Sequence, residues 1–424
     1  MKKHSEDYNS TLERLLGWKY PDKKCISITF QVTEACTLAC TYCYQHAKSP
    51  KVMSVETGKK FIDTIFKELK DTHYAVILDF IGGEPLLQPN LISTLVDYWD
   101  YKCIMENLDW GKYSRFSICS NGTEYDNPDV QKLFDRLGNR LSFTVSIDGN
   151  KELHDSARIH PDGRGSYDEA IHAATCYEQR NGVDLGSKMT IAPANVNFVY
   201  YALKHYLDSG RDEIFANCVF EEGWTYEHAK ILYTEMKRLA DYKLEHYPDA
   251  YLSFFEESGF HPLDPNNEDD NRNWCGGNGL MLASDPDGVL YPCLRYMPSS
   301  VGRGRNDYVT CGNVETGIDR QKLLEMQKIT RRSQSTDECF YCPIAAQCAW
   351  CTAYNWESQG SINKRATYIC PMHKARALVN VYYWNKYYRQ NNMQKRMKNY
   401  CPKEWALDII SEEEYNMLNE LASD

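Results

Sequence analysis

Residues 26–43 read ISITFQVTEACTLACTYC, and this stretch joins a strand-like run to three closely spaced cysteines. The apolar run covers Ile26–Thr33, and Cys36, Cys40 and Cys43 follow it in the spacing C-x3-C-x2-C. A cubane of four irons needs four ligands, so three thiolates leave one iron open to a small molecule, as catalytic zinc sites keep an open position. The stretch therefore predicts a reactive iron-sulfur cluster directly after a strand.

Length and charge restrict the kind of protein. The chain has 424 residues, enough for two or three domains, and a formal net charge of -11 that argues against a large nucleic-acid surface. No apolar run approaches the roughly twenty residues that span a bilayer, and the first residues lack the apolar segment of a signal peptide. We expect a cytoplasmic protein that binds neither nucleic acid nor membrane.

The seventeen cysteines are unevenly distributed along the chain. In a long chain without a signal peptide, clustered cysteines point to metal rather than to disulfides. Besides the first three, a second group lies in the last third: Cys275, Cys293, Cys311, Cys339, Cys342, Cys348, Cys351 and Cys370. The other six are scattered singly, and we expect most of them to be small buried hydrophobes: Cys25, Cys103, Cys119, Cys176, Cys218 and Cys401.

Strand-like apolar runs alternate with amphipathic helical stretches, the pattern of a parallel sheet with crossover helices. The predicted strands are Ile26–Thr33, Ala75–Ile81, Arg115–Ser120, Leu141–Ile147, Ser187–Ala192 and Glu213–Val219. The predicted helices include Ser54–Lys70, Leu91–Met105, Asp126–Leu137, Ser166–Arg180 and Tyr226–Tyr247, and the polar run Asp264–Arg272 is a predicted linker. The sequence therefore predicts an α/β fold with six β/α units, a partial barrel.

Polar residues lie at the carboxyl ends of the predicted strands, where such barrels place their active sites. The turn Gly82-Gly83-Glu84-Pro85 offers bared carbonyls and a carboxylate to an ammonium group. The segments Ser120-Asn121 and Ser146-Ile147-Asp148 carry short polar side chains that suit a ribose. Arg158 is able to clamp a carboxylate with two hydrogen bonds. Each feature alone is ordinary loop chemistry, but together they predict a ligand with an amino group, a carboxylate and a ribose.

These motifs resemble the radical S-adenosylmethionine (radical SAM) family over about Cys25–Val219, and the resemblance continues in the cysteine-rich tail. It implies that Cys36, Cys40 and Cys43 hold a 4Fe-4S cluster whose open iron binds the methionine part of SAM. In that family an electron from the cluster cleaves SAM, and the resulting 5'-deoxyadenosyl radical takes a hydrogen atom from the substrate. The cofactor supplies the chemistry and the protein orients it.

The resemblance also implies which residues contact SAM. Gly82, Gly83 and Glu84 would contact the amino group and Arg158 the carboxylate. The other expected contacts are made by Tyr42 near the adenine, Ser146 at the ribose, Asn195 near the adenosine, and Ser120, Asn121 and Asp148. No residue is assigned as the catalytic base.

The tail resembles the SPASM extension, which holds two auxiliary 4Fe-4S clusters with the pattern C-x9-15-G-x4-C, C-x2-C-x5-C-x3-C and a last C. Here twelve residues separate Cys275 from Gly288 and four separate Gly288 from Cys293, but two residues rather than three separate Cys348 from Cys351. The resemblance implies an outer cluster on Cys339, Cys342, Cys348 and Cys370, and an inner one on Cys275, Cys293 and Cys351. Cys311 is the fourth inner ligand, or else that cluster has an open iron.

A zinc ribbon is the competing interpretation of the tail, since C-x2-C pairs are common in structural zinc sites. Thiolates suit both metals. Zinc ribbons usually space their pairs by about 15 to 20 residues, whereas five residues separate Cys342 from Cys348. We therefore favour iron-sulfur clusters, three in all.

The resemblance and the motifs together suggest five segments. They are an N-terminal extension (1–24), a radical SAM core (25–225), a helical bridge and linker (226–274), a SPASM auxiliary-cluster domain (275–375) and a C-terminal helical segment (376–424).

Three reaction classes compete. Radical SAM enzymes with such a tail mostly act on peptides or proteins, and the leading hypothesis is formation of a thioether crosslink in a ribosomally made peptide. Carbon-carbon crosslinking of a peptide is the second. Anaerobic formylglycine formation on a sulfatase ranks third. Enzymes of that class carry an Asp base directly after the second auxiliary cysteine, and this chain has Leu294 there.

The expected partners follow from this hypothesis. They are a precursor peptide and a reductant such as flavodoxin or ferredoxin. Only thirty-five residues precede Cys36, which leaves either a separate leader-binding protein or recognition of the leader by the barrel and tail. An electron carrier is the alternative from another class, and the predicted ribose and carboxylate contacts argue against it. An enzyme that modifies transfer RNA is disfavoured by the acidic charge.

Overall fold

The computed structural model describes residues 24–211, 213–221, 223–257, 260–302 and 307–423. Apart from Lys24, the predicted N-terminal extension lies outside the described residues. The chain divides into two compact units. Among the described residues, those within 24–37, 43–144 and 276–328 form unit 1, and those within 38–42, 145–275 and 329–423 form unit 2.

Strands and helices alternate through the first half of the chain, and short elements dominate the rest. The strands are β1 Lys24–Thr33, β2 His73–Gly82, β3 Arg115–Ser120, β4 Leu141–Val145, β5 Ser187–Ile191, β6 Glu213–Cys218, β7 Tyr251–Leu252, β8 Leu282–Ser284, β9 Val289–Tyr291, β10 Gly312–Asn313 and β11 Gly317–Ile318. The helices are α1 Val55–Leu69, α2 Pro89–Met105, α3 Trp110–Tyr113, α4 Pro128–Leu137, α5 Lys151–Ala157, α6 Tyr167–Asn181, α7 Val199–Asp208, α8 Tyr226–His246, α9 Glu268–Asn271, α10 Arg320–Gln327, α11 Arg331–Gln334, α12 Asp337–Phe340, α13 Thr352–Gln359, α14 Cys370–Gln390, α15 Lys403–Ala406 and α16 Glu412–Ala422.

Unit 1 is built on a sheet with the strand order β11-β10-β9-β8-β1-β2-β3-β4. Strands β1, β2 and β3 run parallel, with Ile28 opposite Leu78 and Leu78 opposite Phe116. These three side chains are buried, as expected for parallel strands covered on both faces. Strand β8 is also parallel to β1, whereas β8 to β11 pair antiparallel. The central strand β1 therefore positions the start of the loop that carries the first three cysteines.

Helix α1 begins where the sequence supplies a cap. The side chain of Ser54 accepts a hydrogen bond from the backbone N–H of Thr57, at 2.9 Å, and so satisfies an N–H that has no partner inside the helix. Phe61, Ile62 and Ile65 recur on one face and are fully buried. The cap and this face fix the helix that follows the cysteine loop.

Unit 2 contains a three-stranded parallel sheet in the order β5-β6-β7. Met189 of β5 lies opposite Ala216 of β6. The long helices α8 and α14 pack against each other, and Lys243 of α8 donates a hydrogen bond of 2.9 Å to the hydroxyl of Tyr383 in α14. No helix among the described residues is both long and apolar enough to cross a bilayer.

The predicted strands agree closely with the observed ones. Strand β3 has the predicted bounds, and each of β1, β2, β4, β5 and β6 begins and ends within two residues of its prediction. The predicted linker 264–272 contains the short helix α9. The expected α/β architecture of parallel strands joined by helices is thus confirmed for both units.

An aromatic cluster supports the sheet of unit 1. Trp99 and Trp110 stack with ring centroids 5.4 Å apart, and Phe66 meets both rings edge-on at 5.0 Å. Trp110 also donates a hydrogen bond of 3.0 Å from its ring nitrogen to the backbone oxygen of His73. Such aromatic pairs add to the stability gained by burying their area.

We expect Trp110→Ala to lower the free energy of unfolding by about 3 to 5 kcal/mol, because it leaves a cavity between two packed rings. The matched control is Tyr101→Ala, whose side chain is 54% exposed and whose loss should cost less than about 1 kcal/mol. Urea unfolding followed by circular dichroism measures both changes. Equal losses for the two variants would contradict this role of the cluster.

Candidate functional site

The first three cysteines lie in the loop that joins β1 to α1, and all three are half-buried thiols. The base of this loop is closed by backbone hydrogen bonds from Glu34 to Lys51 and from Met53 to Val32, both 2.9 Å long.

The Gly82-Gly83-Glu84 turn packs directly against this loop. The backbone N–H of Gly83 donates to the oxygen of Thr33 at 3.2 Å, and that of Glu84 donates to the oxygen of Ala35 at 2.8 Å. A Cβ atom on Gly82 would lie 2.4 Å from the oxygen of Thr33, and one on Gly83 would lie 2.3 Å from the oxygen of Ala35. Both positions therefore require glycine because the cysteine loop approaches them so closely. The predicted contacts with the amino group of SAM stay predictions.

Glu84 is fully buried and its carboxylate is already engaged by the protein. It accepts hydrogen bonds from the hydroxyl of Ser120 at 2.8 Å and from the backbone N–H groups of Asn121 at 2.8 Å and Leu86 at 3.0 Å. Burial raises the pKa of Glu84 to about 7, although these three hydrogen bonds oppose the rise. The side chain thus ties the end of β2 to the end of β3.

Asn121 lies beside the first cysteine. Its amide nitrogen donates to the hydroxyl of Thr37 at 3.0 Å and approaches the sulfur of Cys36 at 3.8 Å. Its amide oxygen accepts hydrogen bonds from the backbone and side chain of Thr123. Ser120 and Asn121, expected near a ribose, therefore support the cysteine loop in this structure, and their ligand contacts stay predictions.

The cysteine loop also contacts the segment after Cys293 in unit 1. The guanidinium of Arg295 lies 4.8 Å from the ring centroid of Tyr44, the residue after Cys43. The backbone N–H of Ala47 donates to the oxygen of Ser299 at 3.3 Å. Residues that follow the first cysteine group and residues that follow Cys293 are thereby packed together.

In unit 2, the structure brings Tyr42, Asp148 and Arg158 together. The Nε of Arg158 donates to a carboxylate oxygen of Asp148 at 2.8 Å, and the hydroxyl of Tyr42 donates to the same oxygen. The Arg158 guanidinium also lies 5.4 Å from the centre of the Tyr42 ring. Burial, the largest single influence, lowers the pKa of Arg158. The negative charge of Asp148 and the other nearby groups outweigh burial, so the pKa lies above its ordinary value and the guanidinium stays charged. Within the described residues its two terminal nitrogens donate no hydrogen bond.

Sequence reasoning did not identify the partners that hold Asp148 in place. Its backbone N–H donates to the Nδ1 of His154 at 3.2 Å, and the next N–H, of Gly149, donates to the hydroxyl of Tyr206 at 2.6 Å. Burial lowers the pKa of His154 to about 4, and the Arg158 charge adds to this. His154 lies one turn into α5, six residues after Asp148, and this short separation is the sequence signal for the contact.

The last two predicted SAM contacts are placed differently. The side-chain amide of Asn195 accepts from the backbone N–H of Ala192 at 2.7 Å and donates to the oxygen of Thr190 at 3.0 Å, so it closes the turn after β5. Ser146 is half-buried directly after β4. Their adenosine and ribose contacts stay predictions.

Unit 1 holds two of the predicted auxiliary cysteines. Gly288 has a φ of +81° in the turn between β8 and β9, a conformation that favours glycine. Cys293 follows β9 and is half-buried. Cys311 is fully buried beside β9, where its N–H donates to the oxygen of Leu290 at 2.7 Å, and burial raises the pKa of its thiol to about 12.

Unit 2 holds the four predicted outer-cluster cysteines, and the charges of the other three affect the pKa of Cys370. Burial first, and then the charges of Cys348, Cys342 and Cys339, raises the pKa of Cys370 to about 11. Cys348 behaves oppositely: burial raises the pKa of its thiol, but His373 and Arg365 outweigh this and lower it to about 6. The sulfur of Cys348 therefore favours its ionised form more than an ordinary thiol does.

Arginines and tryptophans surround that sulfur. The Nη2 of Arg365 donates to the sulfur of Cys348 at 2.7 Å, and its guanidinium lies 4.1 Å from the centre of the Trp350 ring. The guanidinium of Arg331 lies 5.6 Å from the same ring and 5.1 Å from that of Trp274. Two cations therefore pack against the aromatic residue between Cys348 and Cys351.

The remaining predicted ligands of unit 2 lie at element boundaries. Cys351 caps α13 by accepting the N–H of Tyr354 at 3.4 Å, and Cys275 is exposed. Across the described ranges, no three His, Cys, Asp or Glu side chains stand in metal-binding geometry. The donor set nevertheless fits iron-sulfur clusters, since it consists of thiols and the pKa of one of them, Cys348, is lowered. The ligand assignments stay predictions.

A protein-family profile described as a 4Fe-4S single cluster domain matches residues 26–172. The antilisterial bacteriocin subtilosin biosynthesis protein of Bacillus subtilis is 22% identical over 331 residues, which are 76% of this chain and 66% of that protein. The sporulation killing factor maturation protein of Bacillus subtilis is 25% identical over 219 residues, 52% of this chain and 48% of that protein. The serine-type anaerobic sulfatase-maturating enzyme of Bacteroides thetaiotaomicron is 29% identical over 174 residues, 39% of each chain. The chain thus spans 39 to 66% of the length of these relatives.

Two solved structures share the fold. The structure described as native anSMEcpe with bound AdoMet has a TM-score of 0.64 at 17% identity and covers 87% of this chain and 99% of that chain. Streptococcus suis SuiB bound to precursor peptide SuiA has a TM-score of 0.51 at 11% identity and covers 86% and 81%. These likenesses confirm the predicted fold class, an α/β core followed by a cysteine-rich region.

We expect Gly83→Ala to displace the cysteine loop, because the new Cβ would lie 2.3 Å from the oxygen of Ala35 and 2.6 Å from the Cβ of Cys36. Iron bound after anaerobic reconstitution should fall by up to about four atoms per chain. The control is Gly186→Ala, where the nearest atom is 3.4 Å away. Iron content of Gly83→Ala equal to that of the wild type would show that the loop tolerates the shift.

Replacing Glu84 by Gln should remove a pH dependence of stability. Its folded pKa of about 7 lies above the usual 4.5, so its contribution is fully present below pH 4.5 and is lost as the pH rises to about 7. Relative to the variant, the free energy of unfolding of the metal-free wild type should fall by about 3 kcal/mol across this window. Urea unfolding at several pH values measures the difference, with the exposed Glu152→Gln as control. Parallel pH profiles of wild type and Glu84→Gln would contradict the buried-acid assignment.

Proposed function

We propose that this radical SAM protein, whose C-terminal region is of the SPASM type, modifies a ribosomally made peptide. The observation that carries the proposal is the three-cysteine loop locked onto the Gly82-Gly83-Glu84 turn by two backbone hydrogen bonds. That contact places Cys36, at the start of the loop, against the glycine turn at the carboxyl end of parallel strands. The names of the relatives, which refer to bacteriocin biosynthesis, killing-factor maturation and sulfatase maturation, support a peptide or protein substrate.

We assign Cys36, Cys40 and Cys43 as ligands of a 4Fe-4S cluster that binds SAM. When bound, cluster and SAM supply an electron and a carbon-centred radical that removes a hydrogen atom from the substrate. The chain's own residues bind and orient. Arg158, held by Asp148 through Nε, has two terminal nitrogens to offer to the SAM carboxylate. The backbone of Gly82-Gly83 borders the same cysteine loop and is assigned to the amino group.

Two auxiliary clusters are the finer proposal for the tail. One outer cluster is supported by the effect of neighbouring thiols on Cys370: the charges of Cys348, Cys342 and Cys339 raise its pKa. Cys275, Cys293, Cys311 and Cys351 are assigned to the inner one. Arg365 would donate an N–H to a ligand sulfur of the outer cluster, which is a means of tuning its reduction potential.

Thioether formation is the preferred reaction. A thioether joins a cysteine sulfur of the peptide to one of its carbon atoms and removes two hydrogen atoms. Carbon-carbon crosslinking removes the same two atoms but leaves thiols intact. Formylglycine formation ranks below both, because Leu294 occupies the place after Cys293 where that class carries an Asp base.

The proposed partners are a precursor peptide and a flavodoxin- or ferredoxin-like reductant, with either a separate leader-binding protein or direct recognition of the leader. The solved relative SuiB, bound to its precursor peptide SuiA, supports a peptide partner. The cytoplasmic location stays a prediction.

Replacing Cys36, Cys40 and Cys43 together by Ala should abolish release of 5'-deoxyadenosine from SAM under dithionite and remove about four irons per chain. The matched control is Cys176→Ala, a half-buried cysteine of α6 outside the predicted ligand sets. Chromatography of the nucleoside and iron analysis measure both effects. Undiminished release by the triple variant would refute the assignment, and no release by the fully loaded wild type would favour an electron carrier.

The product distinguishes the reactions. The reduced enzyme is incubated with a cysteine-containing peptide encoded by a neighbouring gene, and the mass and free thiols of the peptide are measured. Loss of two hydrogen atoms per linkage with thiols consumed is the expected result. The same mass change with thiols intact would replace the thioether by a carbon-carbon bond.

A further inference from the structure

Unit 2 contains a small pocket at the carboxyl end of β6. It encloses about 70 Å³, and the residues that line it are mostly apolar, among them Ala216, Phe254 and Met372. Cys218, the last residue of β6, and Arg376 of α14 also line it. In α/β folds of parallel strands, ligands bind at this end of the strands.

Arg376 is fixed in this pocket by neutral acceptors. Its Nε donates to the backbone oxygen of Phe254 at 3.1 Å, and its Nη2 donates to that of Ser253 at 3.0 Å. Asn380 also donates to the oxygen of Phe254, at 3.0 Å. Within the part of the chain that the structure describes, the third nitrogen, Nη1, donates no hydrogen bond, and no carboxylate lies within 4.0 Å of the guanidinium.

Among the described residues, the charges of Glu256 and Cys348 act on this guanidinium from a distance, but no carboxylate forms an ion pair with it. Burial lowers the pKa of Arg376, and the carboxylate of Glu256 opposes the shift only in part. Burial raises the pKa of the Cys218 thiol to about 12, so that thiol stays neutral. The Nε2 of His373 lies 3.0 Å from the backbone oxygen of Ala349, so this ring nitrogen does not face the guanidinium. A largely buried cation without an anionic partner is costly, and binding an anion offsets that cost.

We propose that this pocket binds one carboxylate of the peptide substrate through Nη1 of Arg376. The inference rests on the proposed function and names a chemical requirement of the substrate. A cavity of about 70 Å³ has room for several water-sized groups, since about 10 to 15 Å³ by this measure holds one water, and a carboxylate with its adjoining methylene fits that space. Both an acidic side chain and a chain-terminal carboxylate offer this chemistry.

The pocket lies beside residues that neighbour the predicted auxiliary-cluster ligands in sequence. Ala349, between Cys348 and Cys351, forms part of its wall, and Ile369 precedes Cys370. A peptide held here would lie next to the loops that carry the predicted auxiliary ligands. Arg376 is thus a substrate-positioning residue.

The test is calorimetric binding to the full-length, anaerobically reconstituted protein without reductant, so that no turnover is needed. Three probes are titrated: N-acetyl-glutamate α-methylamide for an internal acidic residue, N-acetyl-alanine for a chain terminus, and N-acetyl-glutamine α-methylamide as the uncharged match. We expect saturable binding of at least one carboxylate and none of the glutamine derivative. The preferred carboxylate identifies the source.

Arg376→Gln should weaken carboxylate binding at least about tenfold, because it removes the charge-assisted hydrogen bond. Because Arg376 also anchors two carbonyls, Ala216→Val is made as well; it narrows the pocket, keeps the guanidinium and should weaken binding similarly. Arg238→Gln, on the exposed face of α8, is the matched control and should bind as the wild type does.

Equal binding of the glutamate and glutamine probes, no binding of either carboxylate, or unchanged affinity in Arg376→Gln would each overturn the proposal. Release of 5'-deoxyadenosine by the same wild-type preparation is measured in parallel. If release occurs and carboxylate binding fails, the pocket assignment is wrong and the proposed function stands.

Discussion

The close approach of Gly83 to the oxygen of Ala35 is the constraint on which the site depends. It places the backbone of the cysteine loop against the end of β2, with no room for a side chain between them. Glu84, whose N–H binds the same oxygen, then reaches the end of β3 through Ser120 and Asn121. The ends of three neighbouring strands are thereby joined in one hydrogen-bonded network, and Cys36 lies in its midst.

Sequence patterns predicted the strands well because burial on both faces produces apolar runs that are hard to mistake. They predicted that the Gly-Gly turn matters, but attributed its glycines to an approaching ligand, whereas the structure shows the approach of the chain's own loop. The pair formed by Asp148 and Arg158 was not predicted either. It depends on how the loop after β4 folds back, which no local pattern records.

For the cysteines of the tail, too, the sequence predicts which residues are candidate ligands but not the environment of their thiols. Spacing identified Cys348 as a ligand candidate, but its lowered pKa follows from Arg365 and His373, which are 17 and 25 residues further along the chain. Arg365 in turn is held against Trp350. The pKa of a thiol therefore depends on residues that packing brings near it, whereas the spacing of the cysteines indicates only which thiols are candidate ligands.

Within the part of the chain that the structure describes, Arg158 is anchored through one nitrogen, Nε, and donates no hydrogen bond from the other two. A guanidinium held in this way has already given up its rotamer freedom on folding, so an arriving anion incurs little reorganisation penalty.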